Sequence, residues 1–384
     1  MRDAVIVEAV RTPVGKRKGG LAGVHAGDLS SHVLTALAER SGIDPALVED
    51  VIWGCVSQVG EQTFDIARTA VVGAGWPESV PGVTVDRQCG SSQQAVSFAA
   101  ASVIAGHYDV VVAGGVESMS RVPMGSSAAG GAHGWPFSDG FRARYGDTPP
   151  NQGEGAEMIV DRWGFSRTQL DEFSLASHEK AAAAQDEGRF TGQIAAVTGP
   201  AGTKIDSDEG IRRGSTLDKL AALKPAFREN GTITAANSSQ ISDGAAALLI
   251  TTSEKAAELG LTPIARVHTA VVTGDDPVIM LTGPIPATAM ALKRSGLSIG
   301  DIGVFEVNEA FAPVPLAWLK ETGADPSRLN PNGGAIAIGH PLGGSGARIM
   351  TTLVHHMRAT GTRYGLQTMC EGGGQANATI LELI

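Results

Sequence analysis

The sequence predicts an α/β fold built from two halves of like topology. Short apolar runs, typical of buried strands, alternate with longer segments that carry a helical pattern. The 50 glycines have no collagen-like period and lie mostly between these runs, where α/β proteins place their turns. The order of elements in the first part of the chain recurs in the last part, as expected of a duplication.

The predicted elements support this duplication. Residues 42–54 and 296–306 each contain a helix end, a polar turn and a strand. Residues 109–115 likewise correspond to 364–373, because each segment follows an apolar helix preceded by a reactive side chain. Chance similarity between generic strand–turn–helix units is the alternative. In the first half, the predicted strands are residues 4–10, 51–55, 83–85 and 110–113, and the predicted helices are 29–41 and 93–105.

The segment between the halves differs in character. It contains a Gly/Ser/Ala-rich stretch at 125–134, a Pro-Pro-Asn turn at 149–151 and a predicted helix around 168–187. We expect it to be a large insertion that covers one face of the protein. Its last part holds the densest basic stretch of the chain, formed by Arg212, Arg213, Lys219, Lys224 and Arg228.

Composition limits the classes of function. The chain has 384 residues, of which 42% are hydrophobic and 18% charged, as in a globular protein with two or three core-bearing units. The net charge of −10 argues against nucleic acid as a partner. An anionic substrate would therefore need a local basic patch. The basic stretch is either such an anion site or only a solvated surface.

Other features indicate the compartment. Three cysteines are too few for a disulfide framework. The first residues do not resemble a signal peptide, no apolar run reaches membrane-spanning length, and the last residues are not a Ser-Lys-Leu address. We expect a cytoplasmic protein without membrane contact.

Cys89 is a candidate nucleophile. It stands just before an apolar helical segment, residues 95–104, which is apolar nearly all round and should be buried. The free N–H groups and the dipole at the start of that helix would stabilise a thiolate. Gly90 and the two serines after it would let backbone donors approach whatever the sulfur holds. A core cysteine at a strand end is the alternative.

His340 and Cys370 stand on glycine-rich backbone on either side of another apolar helical run. Glycine permits left-handed turns and close approach to a ligand. An imidazole and a thiol on such turns predict an acid–base site, although two tight loops with a surface histidine and a buried cysteine fit as well. Asn308 lies where a predicted strand gives way to a helix. It either caps that helix or orients a water or histidine in a pocket.

The chain resembles the thiolases, the family of acetyl-CoA acetyltransferases and 3-ketoacyl-CoA thiolases. The resemblance is carried by the segments around Cys89, Asn308, His340 and Cys370 together. The resemblance begins at Val5 and covers essentially the whole chain. Its most specific parts are Gly-Gly-Ala-Ile-Ala-Ile-Gly-His340-Pro-Leu-Gly, Asn308-Glu-Ala-Phe and Ser239-Gln-Ile-Ser-Asp-Gly-Ala-Ala-Ala247.

The resemblance implies the thiolase fold, in which two βαβαβαββ halves form five α/β/α/β/α layers with an inserted loop domain. We assign residues 1–118 and 239–262 to the first half and 263–384 to the second. Residues 119–238 are assigned to the loop domain, which binds CoA. The resemblance also implies a homodimer or a homotetramer.

The resemblance further implies the role of each site residue. Cys89 matches the acyl-accepting nucleophile, and His340 matches its base. Cys370 matches the second cysteine, which moves a proton on the substrate α-carbon or on the thiol of CoA. Asn308 matches a residue that holds the water of one oxyanion hole together with His340, and the N–H groups of Cys89 and Gly372 match the other oxyanion hole.

Coenzyme A would be the co-substrate, with no bound cofactor and no metal. Two cysteines and a histidine can divide the bond-forming and proton-moving steps between them. The CoA contacts implied by the resemblance are Arg212 on the adenine, Ser239 on the pantetheine and Phe227 in the wall of the pantetheine tunnel.

Three departures from the family pattern stand out. Asn151-Gln152 replaces the His-Met of short-chain acetoacetyl members, which argues against acetoacetyl-CoA as the preferred substrate. Gly344 replaces a more usual alanine. Glu371 and Ala376-Asn377 stand where an apolar residue and a glycine are common. Inward-facing, Glu371 would raise the pKa of Cys370, but we expect it to point away from the site.

The predicted function is thiolytic cleavage of a 3-ketoacyl-CoA through a Cys89 acyl-enzyme, in the β-oxidation of a fatty acid or sterol. The acyl chain would be longer or bulkier than acetoacetyl, such as a branched or ring-derived chain. The alternatives are a biosynthetic acetyl-CoA acetyltransferase, a ketoacyl synthase and a thiolase-like CoA-binding protein without turnover. Cys370 argues against the synthase, because decarboxylating condensation needs no second cysteine.

Overall fold

The computed structural model describes residues 2–200 and 202–384 and has the predicted α/β organisation. The strands are β1 (Val5–Arg11), β2 (Gly15–Lys16), β3 (Asp50–Gly54), β4 (Val83–Val85), β5 (Val110–Ser118), β6 (Val197–Thr198), β7 (Lys204–Ile205), β8 (Ser242–Thr251), β9 (Ala265–Gly274), β10 (Val304–Val307), β11 (Tyr364–Glu371) and β12 (Gln375–Leu383). The helices are α1 (Ala26–Ser41), α2 (Ile66–Gly73), α3 (Ser91–Ala105), α4 (Asp139–Tyr145), α5 (Gln152–Trp163), α6 (Arg167–Asp186), α7 (Leu217–Ala221), α8 (Ser253–Glu258), α9 (Pro284–Ser295), α10 (Pro313–Thr322), α11 (Ala335–Ile338) and α12 (Ser345–Thr360).

The two halves share one strand order. It is β1-β8-β5-β3 in the first half, followed by β4 at the edge, and β9-β12-β11-β10 in the second. In each half the first two pairings are antiparallel and the third is parallel. The predicted duplication is confirmed, since β3 corresponds to β10 and β5 to β11.

Helices α3 and α12 form the middle layer. They contact each other, and α3 packs on β3 and β5 while α12 packs on β1, β8 and β11. Small residues such as Ala95 and Ala99 on α3 face Ala347 and Met350 of α12 in one apolar cluster. Helices α1 and α2 cover the outer face of the first half, and α9 and α10 cover that of the second. The result is the predicted five-layer arrangement.

The two halves are also joined within the sheet, which the sequence did not indicate. β1 pairs with β9 through Val5–Arg266 and Ile6–Ala265, so ten strands form one connected sheet. The parallel strands β3 and β5, and β10 and β11, end on the same side of their halves. Most of the candidate site residues lie on three loops: the one after β10, the one before α3 and the one before α12.

The segment 119–238 contributes α4 to α7 and the β6–β7 pair, outside the large sheet. Its longest helix, α6, begins at Arg167, one residue before the predicted start. Ser166 and Gln169 form a capping box at this end. The exact limits of the three segments stay a prediction. Among the described helices, none combines the length and apolar character that crossing a bilayer requires.

Candidate active site

Cys89 lies on a strained turn at the start of α3. Gln88, the residue before it, has a φ of 48°, which is the left-handed region that non-glycine residues rarely adopt. Ser91 holds this turn, because its hydroxyl donates to the carbonyl of Gln88 (2.6 Å) and accepts from the N–H of Arg87 (2.9 Å). The Cys89 side chain is thereby buried at the helix N-terminus.

The resting Cys89 thiol is neutral, contrary to the expected thiolate. Burial, followed by the nearby carboxyl of Glu371, raises the pKa of Cys89 to about 12. The N–H groups of Cys89 and Gly372, which lie near the sulfur, lower the pKa and so act in the opposite direction. Desolvation therefore outweighs the helix N-terminus here, and formation of the thiolate requires a base.

His340 stands in a loop that glycine makes possible. Gly339, which ends α11, has a φ of 116°, and a Cβ at this position would overlap the hydroxyl of Ser242. That hydroxyl accepts the N–H of His340 at 3.0 Å. Burial lowers the pKa of His340 to about 3, and the charge of Arg348 acts in the same direction. The imidazole is therefore a neutral base.

Asn308 lies beside this base, at the end of β10. Its Nδ2 is 3.4 Å from Nε2 of His340, and its Oδ1 is buried without a hydrogen-bond partner within the described residues. The next residue, Glu309, accepts hydrogen bonds from Ser177, Asn330 and the N–H of Ile336. Glu309 thus ties the Asn308 loop to helix α11, which precedes His340.

Cys370 and Gly372 come from the end of β11. Cys370 is buried in an apolar cluster that includes Phe311 and Ile336. Burial, followed by Cys89 and Glu371, raises the pKa of Cys370 well above its usual value. Cys370 therefore lies near Cys89, and the N–H of Gly372 faces the sulfur of Cys89. The structure thus brings Cys89, Cys370 and Gly372 together, and it pairs His340 with Asn308.

A cavity of about 800 Å³ leads to Cys89. Gly372 lines it as well, whereas His340, Asn308 and Cys370 are buried and do not line it. The inserted segment forms much of its wall through Met124, His133, Trp135, Phe137, Phe141 and Gln152. Asn151 does not face this cavity. Its side chain caps α5 by accepting the N–H groups of Gly153 and Glu154.

A smaller cavity of about 200 Å³ lies beside the basic stretch. Arg212 and Lys219 line it together with His178 and Ile336. Ile336 also packs in the apolar cluster around Cys370. Ile336 therefore lies between this cavity and the apolar cluster that contains Cys370.

Only part of the basic stretch is available to an anion. Arg213 forms an ion pair with Asp186 (2.7 Å), and Arg228 pairs with Glu154 (2.8 Å) and Asp161. Arg212 and Lys219 form no ion pair within residues 2–200 and 202–384.

The other two predicted CoA contacts adjoin the apolar cluster that contains Cys370. Phe227 makes an edge-to-face contact with Phe311 at 5.9 Å and is partly exposed. Ser239 donates its N–H to the carbonyl of Ala310, and both Ala310 and Phe311 belong to the cluster around Cys370. No group of three or more metal-ligating His, Cys, Asp or Glu side chains is found in the described ranges.

Glu371 does not point away from the site, so that expectation is wrong. Its side chain is completely buried, and Oε1 lies against the Cα of Gly90 so closely that a Cβ there would overlap it. Successive residues of a strand face opposite sides. Cys370 therefore faces the apolar cluster while Glu371 faces the start of α3.

Comparison with known proteins identifies the family of this chain. The profile described as "Thiolase, N-terminal domain" matches residues 4–254, and the one described as "Thiolase, C-terminal domain" matches residues 261–383. The chain belongs to the thiolase family.

Curated relatives match this thiolase over its full length. It is 51% identical to "Steroid 3-ketoacyl-CoA thiolase FadA6" of Mycobacterium tuberculosis, covering 100% of this chain and 94% of the relative. It is 46% identical to "3-ketoacyl-CoA thiolase" of Aliivibrio fischeri and 46% identical to the protein of that name from Yersinia pestis, in both cases over 100% of each chain.

Two supporting residues of the thiolase escaped the sequence analysis. Glu117 on β5 is buried and accepts four hydrogen bonds, from Gln62 and from the N–H groups of Val56, Ser57 and Gly343. Ser345 contacts His340 Nδ1 at 2.6 Å. An acid inside an otherwise apolar strand was the available signal for Glu117, whereas the spacing from His340 gave only a weak one for Ser345.

Proposed function

We propose that this thiolase cleaves 3-ketoacyl-CoAs with coenzyme A, releasing acetyl-CoA and a shortened acyl-CoA in a degradative pathway. The single observation that supports this most is that Cys89 lines a large cavity together with Gly372, whose N–H lies near its sulfur. The names of the curated relatives, which include a steroid 3-ketoacyl-CoA thiolase, point to the same reaction.

The first half of the reaction uses His340 and Cys370. Nε2 of His340 takes the proton of the Cys89 thiol, and the thiolate attacks the 3-keto carbon of the substrate. The bond between C2 and C3 then breaks, and the leaving enolate takes a proton from the thiol of Cys370 to give acetyl-CoA. The N–H groups of Cys89 and Gly372 stabilise the oxyanion on the acyl group.

The second half returns the enzyme to its starting state. The thiolate of Cys370 takes the proton of an incoming CoA thiol, and the CoA thiolate attacks the thioester on Cys89. The acyl group leaves as acyl-CoA, and Cys89 recovers its proton from His340. The roles of Asn308, His340 and Cys370 in these steps are part of the proposal. The 3.4 Å contact between Asn308 and His340 supports a joint role for those two residues.

The acyl group is proposed to be bulky, such as a branched or ring-derived chain. Trp135, Phe137 and Phe141 give the cavity an aromatic wall, and its volume of about 800 Å³ suits a group far larger than acetyl. Gln152, which departs from the short-chain pattern, lines the same wall. Aromatic faces bury large apolar ring systems well.

Coenzyme A is proposed to bind across the smaller cavity. Arg212 and Lys219 supply positive charge for its phosphates, and Ser239 and Phe227 contact residues of the apolar cluster that contains Cys370. A guanidinium that is not already paired is well suited to phosphate and to stacking on a base.

A panel of 3-ketoacyl-CoAs tests the substrate proposal. We expect kcat/KM to rise from acetoacetyl-CoA to longer, branched and ring-bearing substrates. A clear preference for acetoacetyl-CoA would support the biosynthetic acetyltransferase instead. Malonyl-dependent condensation without thiolysis would indicate a ketoacyl synthase.

Mass spectrometry tests the nucleophile. After mixing with a 3-ketoacyl-CoA, wild-type protein should carry an acyl adduct on the peptide that contains Cys89. Cys89→Ala should lose both adduct and turnover while still binding CoA by calorimetry. Lack of any adduct in the wild type would favour a CoA-binding protein without turnover.

The protein is further proposed to be a cytoplasmic homo-oligomer that pairs through the edge strand β4. Val83 of this strand is exposed, and Phe98 of the adjoining α3 is 45% exposed. Phe64, which is 91% exposed, precedes Asp65, whose carboxylate binds Thr84 of β4. An unpaired strand edge with apolar neighbours favours contact with a second copy. Light scattering should give at least twice the 39.4 kDa chain mass, and Phe98→Lys should lower it.

A further inference from the structure

Two of the positions at which this chain departs from the family pattern meet in space. Glu371 ends β11 and Asn377 lies on β12, and both side chains contact Gly90 at the start of α3. A Cβ at position 90 would overlap Oε1 of Glu371 and lie 2.8 Å from Nδ2 of Asn377. Asn377 Nδ2 also donates to the carbonyl of Gly90 at 3.2 Å. The acid, the amide and the glycine therefore form one contact group.

The polar atoms of this group are buried with few partners. Both carboxyl oxygens of Glu371 and the Oδ1 of Asn377 have no hydrogen-bond partner among the described residues. The Nε of Arg87 is equally without one, although Nη1 of that residue donates to Gln375 at 2.8 Å. A buried carboxylate in such a place is costly, whereas a neutral carboxylic acid is tolerated and can donate a hydrogen bond.

The same group joins the two backbone segments that carry the oxyanion donors. Glu371 immediately precedes Gly372, one donor, and its side chain rests on Gly90, the residue after the other donor, Cys89. Any shift of β11 relative to α3 would change the distance between the two N–H groups. The carboxyl of Glu371 fills the space that separates these segments.

We propose that Glu371 and Asn377 are positioning residues that hold the N–H groups of Cys89 and Gly372 on one thioester oxygen, and that Glu371 does so as a neutral acid. This inference rests on the proposed function, because it assigns the donors to that reaction. Neither side chain contacts the substrate cavity. Their effect is exerted through Gly90 and Gly372.

Ionisation of Glu371 would then oppose catalysis. Burial raises the pKa of Glu371 to about 8, Arg87 lowers it, and Asp86 raises it. These two charged residues and the thiols of Cys89 and Cys370 are the titratable groups that face it. Once ionised, Glu371 raises the pKa of both thiols. We therefore expect the reactivity of Cys89 to be suppressed at alkaline pH.

Alkylation of Cys89 by iodoacetamide tests this without any acyl-CoA, so it stands even if the proposed substrate class is wrong. Glu371→Gln keeps the shape and removes the charge. At pH 9 we expect this variant to be alkylated about 10-fold faster than the wild type, which corresponds to a change of about one pKa unit. Below pH 6.5 the two rates should agree within about 2-fold. Identical pH profiles for the two proteins would overturn the proposal.

A double-mutant cycle on kcat tests the positioning role. Glu371→Leu and Asn377→Gly should each lower kcat about 10- to 100-fold with the KM for CoA unchanged, because only transition-state contacts are lost. The kcat of the double variant should be no lower than that of the less active single variant, since the two residues act as one unit. Additive losses in the cycle, or losses that appear only in the melting temperature, would contradict the proposal.

Glu382→Gln is the matched control. Glu382 lies on the same hairpin as Glu371, but its carboxyl binds Arg363 and Arg266 at the other end of the sheet. We expect its alkylation profile and kcat to equal those of the wild type. Equal changes in both variants would show that the effect is a general property of the hairpin and would also overturn the proposal.

Discussion

Ser345 determines which nitrogen of His340 carries the proton. The Ser345 hydroxyl donates its only hydrogen to the carbonyl of Pro341 at 2.8 Å. It must therefore accept the hydrogen bond from Nδ1 of His340, 2.6 Å away. Nδ1 is consequently protonated, and Nε2 is the free base that faces Nδ2 of Asn308.

Replacement of Ser345 by Ala should weaken the base. Without the hydroxyl, the imidazole can adopt the other tautomer, which presents an N–H where a base is required. We expect kcat to fall about 10- to 100-fold, with the KM for CoA nearly unchanged, in steady-state thiolysis. Thr351→Ala is the control, because its hydroxyl lies on the same helix and, within the described residues, bonds only to the carbonyl of Ala347. An undiminished kcat in Ser345→Ala would show that the tautomer does not limit the reaction.

The fold was largely predictable because its repeat is local in sequence. Each half places a strand, a helix and a parallel strand in the same order, and hydrophobic periodicity marks them without tertiary information. The β1–β9 pairing through Val5 and Ile6 was not predictable. A two-residue contact between halves depends on how the layers stack, which no local pattern encodes.

Motif and chemistry together select Cys89, His340 and Cys370 as candidate site residues, and their roles stay a prediction. Their ionisation states could not be predicted from the sequence. A helix N-terminus favours a thiolate, but the extent of burial decides the balance, and burial depends on elements remote in sequence. Glu371 illustrates this limit, since its direction follows from the β11 register against β12 and from the space left by Gly90.

Replacement of Asn308 by Ala should remove one polar group from the proposed oxyanion site. Its amide lies 3.4 Å from His340 Nε2 and has no other assigned role in the described contacts. We expect kcat to fall about 100- to 1000-fold, as for loss of an oxyanion donor, with an unchanged melting temperature. Asn332→Ala is the control, because that buried amide contacts Arg189 and His356 instead. Similar kcat losses in both variants would argue against a specific role for Asn308.

Arg212 and its neighbour Arg213 should differ in their effect on CoA. Arg212 lines the smaller cavity, whereas Arg213 is held by Asp186. We expect Arg212→Ala to raise the KM for CoA about 10-fold with little change in kcat, because the lost contact binds CoA equally in the ground state and the transition state. Arg213→Ala should leave both constants within about 2-fold of the wild type. A larger effect on KM from Arg213→Ala than from Arg212→Ala would move the CoA site elsewhere.

The buried carboxyl of Glu306 should make stability depend on pH. Burial raises its pKa from 4.5 to about 8, although Arg348 acts in the opposite direction. Because the folded chain holds this proton more tightly than the unfolded chain, the stabilisation is complete below about pH 4.5 and is lost as the pH rises through 8. Between pH 5 and 7.5, the free energy of unfolding of the wild type should fall, relative to Glu306→Gln, by up to about 1.4 kcal/mol per pH unit. Urea denaturation at several pH values measures this, with the exposed Glu179→Gln as control. A difference between Glu306→Gln and the wild type that stays constant over this range would show that Glu306 does not release its proton there.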